Sequence, residues 1–182
     1  MNIFSKKLFA SPVWAIVLAA SVLSFASCTK DDDENDKVAE DVVTAETFSG
    51  KMEVTYKDSA YVTDNVTIDI LNVAYTDSVK KTDGTFDMVL NAVKFVPMMP
   101  ALDITVPSVT FKVTGENKAE ISGEGIIPIA MKQEFEMYKV SGFEGTITYN
   151  NLSDKTDDAF KFKLTFGQYP LSYSGSYVDN SI

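Results

Sequence analysis

The chain of 182 residues has no arginine and no histidine, one cysteine (Cys28) and one tryptophan (Trp14). Without histidine there is no Ser-His-Asp or Cys-His nucleophile system and no imidazole metal site. Without arginine there is no bidentate guanidinium clamp for phosphate or guanine. The 16 cations are all lysine and stand against 26 acids, for a net charge of −10. A surface of that sign is repelled by nucleic acid, so no nucleic-acid partner is expected. A single cysteine excludes a disulfide framework within the chain. No motif calls for a cofactor or a metal. What remains is 45% hydrophobic and 23% charged, which is neither a disordered composition nor that of a multi-span membrane protein.

The first residues read as an address. Lys6 and Lys7 form a positive segment, and Leu8 to Ala26 runs without a charge. A secretory signal has this layout. The run is also nearly long enough to span a bilayer as an uncleaved anchor. Small residues follow it: Ala26, Ser27, then Cys28. Phe25-Ala26-Ser27-Cys28 resembles the lipobox of bacterial lipoproteins, which implies cleavage before Cys28 and acylation of its sulfur. Ser24-Phe25-Ala26 is also a small-x-small site for ordinary cleavage after Ala26. Acylation explains a lone cysteine in an exported chain, and several acyl chains hold a protein on a membrane without a spanning helix.

Cys28 is followed by Thr29-Lys30-Asp31-Asp32-Asp33-Glu34-Asn35-Asp36. An acidic block of this kind reads as a solvated, disordered tether. It also resembles the export tag behind the lipidated cysteine of surface lipoproteins in Bacteroidota-type Gram-negative bacteria. The expected organisation is a signal peptide over 1–27, a lipidated cysteine with its tether over 28–46, and one folded domain over 47–182. The expected location is the outer membrane, lipid-anchored and surface-exposed.

From Thr47 onward apolar residues recur at every second position, the period of a half-buried strand. In Phe160-Lys161-Phe162-Lys163-Leu164-Thr165-Phe166 the large apolar side chains face one way and Lys, Lys and Thr the other. The same alternation carries Met52, Val54 and Tyr56; Val66, Ile68 and Ile70; and Phe86, Met88 and Leu90. Leu102 to Val113 is a longer candidate, with Pro107 marking an edge or a bulge. Shorter candidates are Ala119 to Ile129, Glu134 to Val140, Gly145 to Tyr149 and Leu171 to Tyr177. Asp83-Gly84 fits a tight hairpin. Gly115-Glu116-Asn117, Asn150 to Asp154 and Gly167 to Pro170 read as loops. Eight or nine evenly spaced strands with no helical stripe predict an all-β antiparallel barrel or sandwich.

With its lipobox, acidic tether, and Thr47-Phe48-Ser49-Gly50-Lys51-Met52-Glu53-Val54 opening the strand pattern, the chain resembles the calycin-like lipoproteins of Bacteroidota. Leu171-Ser172-Tyr173-Ser174-Gly175-Ser176-Tyr177 resembles the family's last strand, a glycine among aromatics. The likeness covers residues 47–178 and implies a lipocalin-type antiparallel β-barrel of about eight strands.

Such a barrel either fills its interior with side chains or holds one small ligand. The candidate lining is Met88, Leu90, Ile104, Phe111, Ile121, Phe135, Met137, Ile147, Phe160, Phe162, Leu164 and Phe166. An apolar lining selects a lipid-like or sterol-like molecule by area buried. Pro97-Met98-Met99-Pro100 holds two adaptable thioethers in a loop, as a lip at the barrel mouth or as a plug for the core. Glu134 and Glu136 at i, i+2 share a strand face, and read as solvated rather than as a glycosidase pair. Asp58-Ser59-Ala60 and Asp77-Ser78-Val79 fit a loose O-glycosylation pattern, one that chance supplies at this composition. The expectation is a binding role and not a catalytic one: a small hydrophobic ligand in the barrel, or a glycan or protein on its outer surface and loops.

Overall fold

The computed structural model describes residues 43–149 and 158–179. The leader, Cys28, most of the tether and the Asn150–Asp154 loop lie outside the described residues. Ten strands follow in chain order: β1 (Thr47–Tyr56), β2 (Ser59–Tyr75), β3 (Asp83–Val93), β4 (Leu102–Gly115), β5 (Lys118–Gly123), β6 (Ile129–Ala130), β7 (Gln133–Glu134), β8 (Val140–Thr148), β9 (Ala159–Phe166) and β10 (Tyr169–Tyr177). Eight of them close an antiparallel up-and-down barrel. β1 pairs with β2, β2 with β3, β3 with β4, β4 with β5, β5 with β8, β8 with β9, β9 with β10, and β10 returns to β1. Among the described residues, closure gives each of these eight strands a neighbour on both sides. The short hairpin β6–β7 is inserted between β5 and β8 and pairs with the start of β4, Ile104 opposite Ala130. The fold is compatible with a calycin-like barrel.

The period-two pattern explains the core directly. Phe48, Met52 and Val54 of β1, Phe86, Met88 and Leu90 of β3, and Phe160, Phe162, Leu164 and Phe166 of β9 are all buried. Lys51, Glu53, Lys161 and Lys163 between them stand in solvent. Rings interlock across the middle. Phe160 lies 5.4 Å from Phe48, 5.0 Å from Phe162 and 6.5 Å from Phe86, centroid to centroid. Tyr173 stacks on Phe162 at 5.3 Å. Each fully buried ring of this size contributes about 1.5–3 kcal/mol.

One spot in the wall must be thin. Gly50 of β1 sits opposite Gly175 of β10. A Cβ on Gly175 would lie 2.2 Å from the Tyr173 hydroxyl. That hydroxyl donates to the Val66 carbonyl at 3.2 Å, a buried hydrogen bond that passes over Gly50 of β1 to the next strand, β2. The glycine among aromatics is therefore the space the tyrosine head occupies.

Bulges bend the long strands, and acidic side chains satisfy the amides they free. Pro107 and Ser108 form a bulge between the Phe86–Val109 and Met88–Val106 pairs, as the proline predicts. Ser108 has φ +53°, and its amide donates to an Asp87 carboxylate oxygen at 2.8 Å. Ala92, at φ +50°, donates to Asp103 at 2.8 Å. Gly142 donates to Glu124 at 2.8 Å. Part of the excess acid is thus a set of clamps on irregular backbone.

Three local expectations are corrected. Asp83-Gly84 is not a hairpin: both residues lie in β3, Gly84 opposite Phe111. The β2–β3 turn is instead built on Asp77, whose carboxylate accepts from the Val79 and Lys80 amides at 2.9 and 3.1 Å. Those two amides hold the Asp77 carboxyl below its ordinary value. Ala119 to Ile129 is not one strand, because β5 stops at Gly123 and the chain leaves the barrel for the β6–β7 insertion. Glu134 to Val140 is not a strand either. Past Glu134 no neighbouring strand offers a ladder, and Glu136–Tyr138 curls into a 3-10 turn closed by Tyr138 N–H on the Phe135 carbonyl. Among the described residues there is no α-helix.

Candidate functional site

The up-and-down path gives the barrel two distinct ends. Residues 43–46 ahead of β1 and the end of β10 lie at one end, together with the β2–β3 and β4–β5 connections. We call this the closed end. Val43 is buried there and its carbonyl accepts the Tyr75 hydroxyl at 2.6 Å. Glu46 and Ile70 exchange both backbone hydrogen bonds. Tyr75 in turn meets the Phe111 ring edge-on at 5.5 Å. Asp158, the one buried acid among the described residues, also lies at this end, just before β9.

The opposite, open end gathers the β1–β2 turn, the β3–β4 loop, the β6–β7 insertion and the β9–β10 turn. Its floor is aromatic. Phe95 is buried, stacks on Tyr169 at 5.7 Å and lies 5.1 Å from Phe166. Tyr138 sits 6.0 Å from Tyr169 and 6.3 Å from Phe135. Gly167, at φ +57°, lets the β9–β10 turn approach the 3-10 turn. Any Cβ there would stand 2.4 Å from the Met137 carbonyl oxygen.

Beside this floor lies an apolar pocket of about 120 Å³. Phe95 and Met99 come to it from the β3–β4 loop, Leu102 and Ile104 from β4, Pro128 and Ala130 from the insertion. Phe135, Tyr138 and Phe166 complete it. Apart from the Tyr138 hydroxyl no lining side chain carries a polar atom. The pocket therefore offers contact area and no directed hydrogen bonding beyond one phenol.

The rim is sulfur-rich. Met98, Met131 and Met137 are 95%, 66% and 74% exposed. Each is next in sequence to a residue that lines the pocket, respectively Met99, Ala130 and Tyr138. Three exposed, flexible thioethers at this end of the barrel suit irregular apolar partners. Met131 and Lys132 form the two-residue β6–β7 turn with φ of +51° and +62°. Turns of this type favour Asn-Gly, so an exposed methionine here carries backbone strain.

The structure distributes the predicted cavity residues over three places. Met99, Ile104, Phe135 and Phe166 line the pocket. Met88, Leu90, Phe111, Phe160, Phe162 and Leu164, with Ile121 and Ile147, are buried in the packed interior. They are core, because their rings and branches fill the width of the barrel. Met98 and Met137 point to solvent. Met137 was expected inside on strand alternation, which the 3-10 turn breaks. Of the Pro97–Pro100 loop, Met99 serves as part of the wall and Met98 as part of the rim. Phe95, Leu102, Pro128, Ala130 and Tyr138 were not foreseen as lining. Cys28 lies outside the described residues.

A second concavity runs over the outer wall. Ser172 and Ser174 of β10 form a low floor between Lys51 and Glu53 of β1 and Lys161 and Lys163 of β9. Two adjoining open depressions there measure about 410 and 490 Å³. Their walls are solvated charges, with Lys163 paired to Glu144 at 3.1 Å. Glu134 and Glu136 are both exposed, and Glu136 pairs with Lys139 at 3.8 Å. Tyr149 and Tyr173 are buried and the other six tyrosines are half-buried. Among the described residues no three Cys, Asp or Glu side chains are placed to hold a metal ion. A scan against protein families, curated proteins and solved structures finds no match to this chain.

Proposed function

We propose that this protein is a binding module: exported, lipid-anchored to the outer membrane through Cys28 as a surface-exposed calycin-like lipoprotein of Bacteroidota type. Its role is to take a small hydrophobic ligand at the open end of the barrel. The apolar pocket between Phe95, Ile104, Ala130 and Phe135 carries this reading. An apolar hole held open at the surface serves no evident packing purpose, while the depression at the other end, between Glu46, Asp69 and Asp179, is walled in part by acids. The binding role stands in place of catalysis because the pocket lining offers a single phenol, Tyr138, with no carboxylate, amine or thiol beside it to activate it.

The test is native mass spectrometry of the full protein gently released from its host membranes, beside an Ala130→Phe variant that fills the pocket. A retained adduct lost in the variant is expected; a bare mass in the parent protein overturns the reading. Loss of palmitate incorporation in Cys28→Ala, and protease sensitivity on intact cells, check the anchor and the exposure.

The outer trough favours a second reading, contact with a glycan or protein along β10. It predicts that Ser172→Tyr, which fills the floor, abolishes partner binding while the open-end pocket still takes up its ligand.

A further inference from the structure

The size of the open-end pocket says which part of a ligand it takes. A cavity of about 150 Å³ holds one benzene ring, and ligand sites for whole drug-sized molecules run from about 300 Å³ upward. The pocket here is about 120 Å³. Below it the barrel offers no continuation, because Leu90, Phe111 and Phe160 fill the interior. The neighbouring walls are not free to retreat. Phe95 is wedged between Phe166 and Tyr169, and Ile104 is pinned by the β4–β6 pairing. Met99 alone among the walls is a flexible side chain on a loop.

We infer that the pocket is a socket for one ring-sized apolar group, a phenyl or a branched or short alkyl end of about five or six carbons. The body of a fatty acid or sterol stays outside. This rests on the open-end pocket being the ligand site, and it replaces the whole enclosed lipid that an empty barrel would hold. A long chain seats only its tip, so length beyond the socket adds nothing.

A homologous series of primary alcohols, propanol to decanol, tests this together with toluene. The protein is the full chain carrying Cys28→Ser, purified without detergent. Binding is read from the methyl NMR signals of Ile104, Met99 and Ala130. Affinity is expected to rise about fourfold per added carbon, the Boltzmann equivalent of about 0.8 kcal/mol per buried CH₂. It then goes flat after about the sixth carbon, and toluene binds at the same signals. Ala130→Phe abolishes the shifts. Met99→Ala, which enlarges the socket from its flexible side, moves the plateau to longer alcohols.

Affinity that keeps climbing through decanol overturns the inference and leaves the open-end ligand site standing. Failure of every alcohol and of toluene to move these signals overturns both. A plateau that Met99→Ala does not move places its cause outside the socket and also overturns the inference.

Discussion

The same eight strands finish differently at the two ends of the barrel. At the closed end the incoming chain is pulled onto the core. Val43 is buried, Tyr75 donates to its carbonyl, and Glu46 is zipped to Ile70 by main-chain hydrogen bonds. At the open end the chain spends more than a dozen residues, Glu124 to Lys139, on an insertion that does not cover the hole beside it. Apolar groups left uncovered there include three methionines, one of them on a strained turn. Stability alone favours the first arrangement. The second leaves apolar side chains and a strained turn in water, which the proposed binding role would account for as a contact surface.

The largest effect expected is in the packed middle, which both ends share. Phe160→Ala removes a ring in contact with Phe48, Phe86, Phe162 and Tyr173. It should cost about 3–5 kcal/mol in urea unfolding. Met98→Ala at the rim should stay within about 0.5 kcal/mol. Comparable losses at the two sites would remove the distinction between core and rim.

The next effect tests the thin spot in the wall. Gly175→Ala forces the Tyr173 hydroxyl off the Val66 carbonyl or the strand outward, at a cost of about 2 kcal/mol. A Cβ on Gly175 would also stand 2.6 Å from Tyr173 Cζ, so Tyr173→Leu, which removes hydroxyl and ring together, is the background in which Gly175→Ala should cost clearly less. Additive losses would show that the glycine answers to the backbone of β1 and not to the tyrosine head. Burial also pushes the Tyr173 hydroxyl far above its ordinary value of 10.0. The folded state therefore holds this proton where the unfolded chain releases it. The contribution is complete below about pH 10 and is lost as pH rises above it, at about 1.4 kcal/mol per pH unit. Tyr173→Phe should flatten the alkaline unfolding curve in that window.

A smaller effect is expected at the closed end. Tyr75→Phe leaves the Val43 carbonyl without the hydroxyl that donates to it at 2.6 Å. The expected loss is about 1–1.5 kcal/mol, with faster amide exchange at Glu46 and Ile70. Unchanged exchange there would mean that the main-chain zipper alone holds the end shut.

Sequence periodicity revealed the barrel because a closed sheet with one wet face writes its inside and outside into alternate residues, as in Phe160 to Phe166. It also located the Pro107 bulge, since proline removes a ladder donor. The turns were less legible. Glu116-Asn117 and Gly167-Gln168 make two-residue hairpins inside segments that read as loops, but Lys57-Asp58 and Met131-Lys132 make them without the usual Asn-Gly signature, while Asp83-Gly84 carries that signature inside a strand. The site was legible only in part. Met99, Ile104, Phe135 and Phe166 belonged to the apolar pattern, but period two cannot separate a residue lining a hole from one filling a core. Phe95, Pro128 and Ala130 reach the pocket through the path of loops and an insertion, which one-dimensional alternation does not encode.

The smallest expected effect bears most directly on why the open end looks as it does. Replacing Met131-Lys132 by Asn-Gly keeps the two-residue turn but supplies residues suited to positive φ. If the turn is held only for folding, natural chemistry has left about 0.5–1 kcal/mol of stability unclaimed there, and the double variant should show that gain by raising the unfolding midpoint. Ligand that extends past the socket should then bind less tightly, because the Met131 thioether is gone from the rim. Toluene, whose ring fills the socket and leaves no long tail at the rim, should bind as before. A variant that is more stable and binds both probes unchanged would make the exposed methionine an accident of sequence. A variant that is more stable yet loses only the longer probe would show that the open end gives up stability for contact, as the closed end does not.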